Sequence, residues 1–555
     1  MPELYKPLIV QSDMTLLLET GNESYESARD EIAAFAEMIK SPEYIHTYKI
    51  TPLSLWNAAS AGVSSNTVID TLKKFSKYPV AETVCIRVRQ IGERYGKIKI
   101  IKDGGGLYLH TDDEFIMAQI AAEKSVVKYF LSEPHGNVVS IDPKYRGHIK
   151  QALIAISLPA EDLAGYGESD GLDFTLNTTG GFSPRDYQLA AVSAFRANGK
   201  GDHGVIVLPC GAGKTIVGIA AMAEFQTETL ILTTSVTALR QWIGELLDKT
   251  NLTAGQIGEY SGEKKEIRPV TVSTYQIISA KDRSEEQKHF ELFSRRNWGF
   301  IIYDEVHTLP APVFRITAEL QAKRRLGLTA TLVREDGLEG DVFALIGPKR
   351  HEMNWKVLEG KGWIAEAECF EIRIPMPPEL RMPYAVAPKR DKFRIAAENP
   401  NKLRIIRRLM EKHNGAYILI IGVYLEQLEC IAAELNAPLL TGKTSNNERT
   451  ELYEQFRKGI IKTLVVSKVA NFAIDLPDAN VAVEVSGSFG SRQEEAQRLG
   501  RILRPKQGDN RAYFYTVVSA DTREEEFSAH RQLFLVEQGY QYKIIDGEGE
   551  LNAGK

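Results

Sequence analysis

The residues best suited to chemistry begin where the chain reads Leu208-Pro209-Cys210-Gly211-Ala212-Gly213-Lys214-Thr215, after an apolar run and ahead of a helical pattern. Gly211 and Gly213, with Ala212 between them, let backbone N–H groups curl around a phosphate, and the N-terminus of the helix that follows favours the anion. Lys214 would reach the β- and γ-phosphates of ATP, and Thr215 would ligate Mg²⁺. The usual G-x-x-x-x-G-K-T pattern has Leu208 in its first position here, so the strict pattern fails while its Gly-x-Gly-Lys-Thr core survives. A Gly-rich turn met by chance is the alternative, and the next motif downstream argues against it.

That next motif is Asp304-Glu305-Val306-His307, closing the apolar run Phe300-Ile301-Ile302-Tyr303. Asp304 would hold the hydrated Mg²⁺ and Glu305 would polarise an attacking water. A solvated strand end also carries two carboxylates, but the strand placement downstream of a phosphate loop favours the catalytic pair. His307 alone reads as an ordinary satisfied histidine. A third constellation is Gln497-Arg498-Leu499-Gly500-Arg501-Ile502-Leu503-Arg504. Arg501 and Arg504 are three apart, share one helix face and can both point at a γ-phosphate. Such arginines stabilise charge that develops in a transition state. The plainer reading is a basic helix face.

The elements that must position these groups form two series of short apolar strands alternating with helices, the pattern of parallel sheets with crossover helices. The first series is predicted at Gly204–Leu208, Thr229–Thr233, Val270–Ser273, Gly299–Tyr303 and Arg325–Leu328. The second is predicted at Tyr417–Val423, Thr463–Ser467, Ala482–Val485 and Tyr513–Val517. Residues 1–95 read as mostly helical, for example Ser24–Lys40 and Leu53–Lys77. Residues 96–180 read as mixed, with a hairpin turning at Asp103-Gly104-Gly105-Gly106. A Gly- and Asp-rich stretch, Gly165–Gly181, reads as a linker with a hinge at Thr178-Thr179-Gly180-Gly181.

Length and composition set outer bounds. A chain of 555 residues exceeds one core and predicts three or four domains. No run of about 18 uncharged apolar residues is present, so no membrane span is expected. The four cysteines (Cys85, Cys210, Cys369, Cys430) are scattered, which fits reduced, buried thiols in a cytosolic protein. A net charge of −5 gives no bulk attraction to nucleic acid, so any such binding must come from local basic surface.

With three nucleotide motifs in this order, the sequence resembles superfamily 2 helicases, in which ATP binds between two RecA-like domains. Arg185-Asp186-Tyr187-Gln188 resembles the adenine-reading element, through Arg185 and Gln188. Thr329-Ala330-Thr331 resembles the element that couples hydrolysis to strand handling. Thr274-Tyr275-Gln276, Gly422-Val423-Tyr424 and Ser467-Lys468-Val469 resemble loops lining the nucleic-acid track. The match narrows to the XPB family through Arg334-Glu335-Asp336, Ile346-Gly347-Pro348-Lys349, the Gln497–Arg504 phrase, and Ile45–Thr51 with Ser54-Leu55-Trp56. One departure is Ala470-Asn471, where eukaryotic members carry Gly-Asp; their long extensions are absent too, so a stand-alone prokaryotic type is expected.

The resemblance implies an α/β fold of two RecA-like parallel-sheet domains, 181–366 and 367–521. An N-terminal helical domain (1–95) and a small mixed domain resembling the damage-recognition domain (96–180) precede them. A basic thumb-like insertion at about 375–412 and a C-terminal tail (522–555) complete the expectation. It implies a DNA substrate (single strand, fork or duplex), 3′→5′ polarity, a repair role and a nuclease partner. Gln497, Arg501 and Arg504 become catalytic residues of the second domain. Arg334, Glu335 and Asp336 become DNA contacts, alongside Thr274, Tyr275, Ser467 and Lys468.

A separate observation concerns Arg381–Asn414, where ten basic residues face only Asp391, Glu398 and Glu411, an excess of seven positive charges. Lys389, Arg390, Lys392 and Arg394, with Tyr384 and Phe393 interleaved, could bind phosphates and stack a base; a solvated helix face is the alternative. Three rival functions stay open at this stage. They are an RNA helicase, the motor of a restriction or antiviral system, and a DNA-binding scaffold without catalysis.

Overall fold

The computed structural model describes residues 5–41, 44–164, 170–177, 182–196, 203–209, 211–278, 296–309, 322, 324–331, 339–467, 479–487, 499–500, 502–503 and 510–547. They divide into two compact units: Met1–Leu208 with Gly213–Glu352, and Pro209–Ala212 with Met353–Lys555. Among the described residues no helix is long and apolar enough to cross a membrane.

The first unit holds a seven-stranded parallel sheet. Its spatial order is Ile257–Tyr260, Val270–Thr274, Thr229–Thr233, Phe300–Asp304, Arg324–Thr329, His203–Val207 and Lys349–Glu352. The inner strands read TLILT, VTVST and FIIYD, and almost every residue in them is buried, as parallel strands shielded from water on both faces require. Register puts the ends of Phe300–Asp304, Arg324–Thr329 and His203–Val207 side by side, pairing Asp304 with Leu328 and Thr329 with Val207. Ligands of such sheets bind beyond these carboxyl ends.

The second unit repeats the architecture in the order Leu439–Leu440, Thr463–Ser467, Ile418–Gly422, Val481–Glu484, Arg511–Ser519, Glu366–Ile374 and Tyr542–Asp546, all parallel. The fold class is therefore α/β with two RecA-like sheets.

Four regions differ from their sequence reading. Residues 1–95 are not mostly helical. They contain an antiparallel sheet of Leu8–Val10, Thr15–Glu19, Ile45–Lys49 and Glu37–Lys40, with helices Tyr25–Ile32, Pro52–Ser60, Ser65–Phe75 and Glu82–Gly92. The predicted helix Ser24–Lys40 ends at Ile32, and Met38 is buried through the strand that follows.

The linker is likewise no free tether over its described part, 170–177. Leu172 and Phe174 are buried, and backbone and side-chain hydrogen bonds tie Phe174 to Gln226, Thr175 to Asn251 and Asn177 to Lys249. Nor is the C-terminal segment a tail over its described part, 522–547. Helix Arg523–Glu537 brings Glu524 to Lys402 at 2.7 Å and Arg531 to Glu484 at 3.3 Å, all four fully buried, and Tyr542–Asp546 completes the sheet. Finally, helix Asn401–Lys412 is no insertion. Ile405, Ile406 and Leu409 pack into the core of the second sheet.

The mixed region forms as read. Strands Ile98–Asp103 and Gly106–Thr111 pair antiparallel through a two-residue turn in which Gly104 and Gly105 both have positive φ (52° and 85°), as the tight hairpin requires. Within the first unit, Arg146 and Lys150 grip Asp162, while Arg350 donates to the carbonyls of His203 and Ser60, and Gln151 to Asp341. The Arg350 bonds tie helix Pro52–Ser60 to the edge of the seven-stranded sheet, and the Gln151 bond ties the mixed region to helix Glu339–Leu345.

Candidate active site

Strand His203–Val207 delivers the chain to the phosphate loop, and Leu208 N–H is anchored on Thr329 O at 3.0 Å. Gly211 and Gly213 take left-handed φ of 80° and 75°, and Gly213 caps helix Lys214–Phe225. A Cβ at Gly213 would fall 2.5 Å from Gln188 Nε2. Only glycine therefore lets the Gln188 amide lie over the loop. Gln188 is itself held by the Arg185 N–H, which donates to its Oε1 at 2.8 Å.

Opposite the helix head stand Asp304 and Glu305. Lys214 Nζ lies 3.4 Å from Glu305 Oε1. Trp242 Nε1 donates to Asp304 Oδ2 at 2.9 Å, Glu305 N–H to Asp304 Oδ1 at 3.1 Å, and Tyr275 OH to Asp304 O at 2.7 Å. Glu305 has φ 49° and ψ 53°, a left-handed conformation costly for a side chain of this kind. Its Oε2 is buried, 3.5 Å from His307 Nδ1, and takes no hydrogen bond among the described residues. Burial, then the charge of Glu305, pushes the Asp304 carboxyl up to about 6. Burial acts on Glu305 too, but the Lys214 ammonium and His307 outweigh it and hold that carboxyl below its ordinary value.

His307 ties this motif to Thr329. Thr329 donates its hydroxyl to Thr331 O at 2.5 Å, so His307 Nδ1 is the donor toward Thr329 Oγ1 at 2.6 Å. Through this bond His307, ordinary in the sequence alone, spans two nucleotide motifs.

Residues 358–554 match the ERCC3/RAD25/XPB C-terminal helicase family, 8–134 a helicase conserved C-terminal domain, and 181–334 the type III restriction enzyme res subunit. The DNA 3′-5′ helicase XPB of Mycobacterium tuberculosis is 51% identical over 543 residues, 98% of this chain and 98% of that protein. That of Kineococcus radiotolerans is 51% identical over 98% of this chain and 97% of its own length. The chain belongs to the XPB helicase family. A more distant member, the general transcription and DNA repair factor IIH helicase/translocase subunit XPB of Encephalitozoon cuniculi, is 34% identical across 97% of this chain and 82% of that one. Among solved structures, the ATP-dependent type ISP restriction-modification enzyme LlaBIII bound to DNA has a TM-score of 0.50 at 14% identity, covering 67% of this chain and 32% of that one, a likeness of fold alone.

Thr274 and Tyr275 are buried, and the Tyr275 hydroxyl donates to the Asp304 carbonyl. Ser467 is buried at the end of its strand. Lys468, Arg334, Glu335, Asp336, Gln497, Arg501 and Arg504 lie outside the described residues, as does Cys210.

In the basic stretch Lys389 and Arg390 are exposed, Lys392 sits over the Tyr384 ring, and Arg394 pairs with Glu398 and Glu426. Phe393 is buried against Phe527 and cannot stack a base, and Lys402 is a core cation. The free positive surface is smaller than the sequence count. No motif in the sequence marks Trp242. Its only signal was that a buried indole must find an acceptor, which does not say where.

Proposed function

We propose that this chain is an ATP-driven DNA helicase that moves 3′→5′ along one strand and acts in DNA repair. The observation that carries the proposal is Lys214, at the head of the phosphate-loop helix, facing Glu305 at 3.4 Å beside Asp304, in a chain 51% identical along its length to proteins named DNA 3′-5′ helicase XPB.

Arg185 and Gln188 would read the adenine, while Gly211, Ala212 and Gly213 would cradle the phosphates and Lys214 would neutralise them. Glu305 would polarise water for attack on the γ-phosphorus. The bond to the β,γ-bridging oxygen breaks, giving ADP and phosphate. The donor set fits a hard cation, since the Asp304 and Glu305 carboxylates are adjacent and Glu305 Oε2 is buried without a hydrogen bond among the described residues. Thr215 and Asp304 would hold Mg²⁺, which when bound supplies positive charge against the phosphate oxygens. Gln497, Arg501 and Arg504 are assigned to the same chemistry from sequence.

For DNA contact we assign Lys389 and Arg390, with Lys392 and Arg394 in support, and Arg334, Glu335, Asp336, Ser467 and Lys468 from the family phrases. A nuclease partner and a cytoplasmic location belong to the same reading. So does the division into N-terminal, damage-recognition-like and two motor domains. The test is ATP hydrolysis without nucleic acid, then with single-stranded DNA, forked duplex and RNA, with Glu305→Gln as control. Stimulation by DNA alone, lost in the control, is expected. Equal stimulation by RNA would move the reading to an RNA helicase, and no hydrolysis would move it to a scaffold.

A further inference from the structure

Helix Val236–Lys249 carries nothing that sequence reading assigned to nucleotide chemistry, yet its Trp242 touches both halves of the site. The indole is 1% exposed, and its N–H donates to Asp304 Oδ2 at 2.9 Å. Its ring presses on the phosphate-loop helix at Gly218, where a Cβ would lie 2.6 Å from Trp242 Cη2. Gly218 is one turn beyond Lys214, so the ring fills the space between the helix that would hold the phosphates and the carboxylate that would hold the cation.

The terminal torsion of an aspartate is broad and gives no preferred carboxylate plane of its own. Here both oxygens are spoken for, Oδ2 by the indole and Oδ1 by the Glu305 N–H, and Tyr275 OH pins the carbonyl of the same residue. Each carboxylate oxygen keeps further acceptor capacity. A donor that is rigid, buried and unable to accept can fix the carboxylate plane without competing for the remaining lone pairs.

We propose that Trp242 is a positioning residue that orients Asp304 toward the magnesium–nucleotide complex and sets its distance from the phosphate loop. This rests on the nucleotide-hydrolysis reading above. Partners of metal-holding groups matter to metal affinity on the order of ten-fold or more when removed.

The test uses the full chain with Trp242→Phe, which keeps a ring against Gly218 and deletes the N–H. ADP binding in EDTA, followed by calorimetry, should match the parent, while the Mg²⁺ concentration for half-maximal binding and hydrolysis should rise by roughly ten-fold. An unchanged Mg²⁺ requirement, or a loss of ADP affinity in EDTA with that requirement intact, reduces Trp242 to packing and overturns the inference. Should the variant not fold, the parent labelled with 5-fluorotryptophan answers the question. Adding Mg²⁺ to its ADP complex should shift one fluorine resonance, and an unaltered spectrum overturns the proposal. A parent chain that binds no ADP overturns the nucleotide reading itself, an outcome distinct from a parent that binds it and a variant that matches the parent.

Discussion

Lys214 and Glu305, 3.4 Å apart, carry opposite charges that a triphosphate must divide, since the ammonium is drawn to phosphate oxygens and the carboxylate is left for water. Glu305→Gln keeps the shape and removes the base, so kcat should fall at least about a hundred-fold while nucleotide affinity holds; steady-state kinetics beside ADP titration checks the split. Asp304 makes a pH prediction. Its folded value, about 6, lies above the ordinary 3.8, so the native state binds its proton more tightly than the unfolded chain and pays for ionisation at higher pH. Asp304→Asn should therefore melt above the parent at pH 8. The gap should shrink as pH falls through about 6, where the native carboxyl takes up its proton, in thermal scans without nucleotide.

Among the elements, helix Arg523–Glu537 bears most on the second motor domain. Lys402 and Glu524 are each about 1% exposed, and removing one leaves a buried charge without its counter-ion. Glu524→Ala should cost about 3–5 kcal/mol, whereas Lys402→Met with Glu524→Leu should come near neutral; denaturant unfolding compares the two. This helix also marks where legibility ended. Strands Thr229–Thr233 and Thr463–Ser467 match their predicted bounds because an unbroken apolar run has one interpretation in a parallel sheet. Glu366–Ile374 was overlooked because Glu368, Glu371 and Arg373 interrupt its apolar residues, and Tyr542–Asp546 because it is an edge strand with Ile544 exposed. Lys214, Asp304 and Glu305 were readable since their chemistry is local to a motif. Trp242 and the Lys402–Glu524 pair depend on contacts 62 and 122 residues apart, which a linear pattern does not encode.

For the whole molecule, a net charge of −5 leaves DNA binding to local surface. Replacing both exposed Lys389 and Arg390 by Ala should weaken binding uniformly across sequences and flatten the salt dependence by about 1.5 in the log–log slope. An unaltered slope, measured by fluorescence anisotropy, would turn that face away from DNA. Acid should loosen the first unit. Burial, first of all, lowers His46 to about 4 and His203 to about 3, so the unfolded chain binds these protons first. Stability should fall as pH drops below about 6.5 toward 4, followed by thermal unfolding of the full chain. The left-handed backbone at Glu305 finally bears on how such a chain evolves. Glycine or asparagine would sit at that position with less strain. A library propagated only for survival of heating should drift to those residues and lose its motor, so the rate at which the glutamate disappears under that regime would gauge how much robustness lineages forgo to keep hydrolysis.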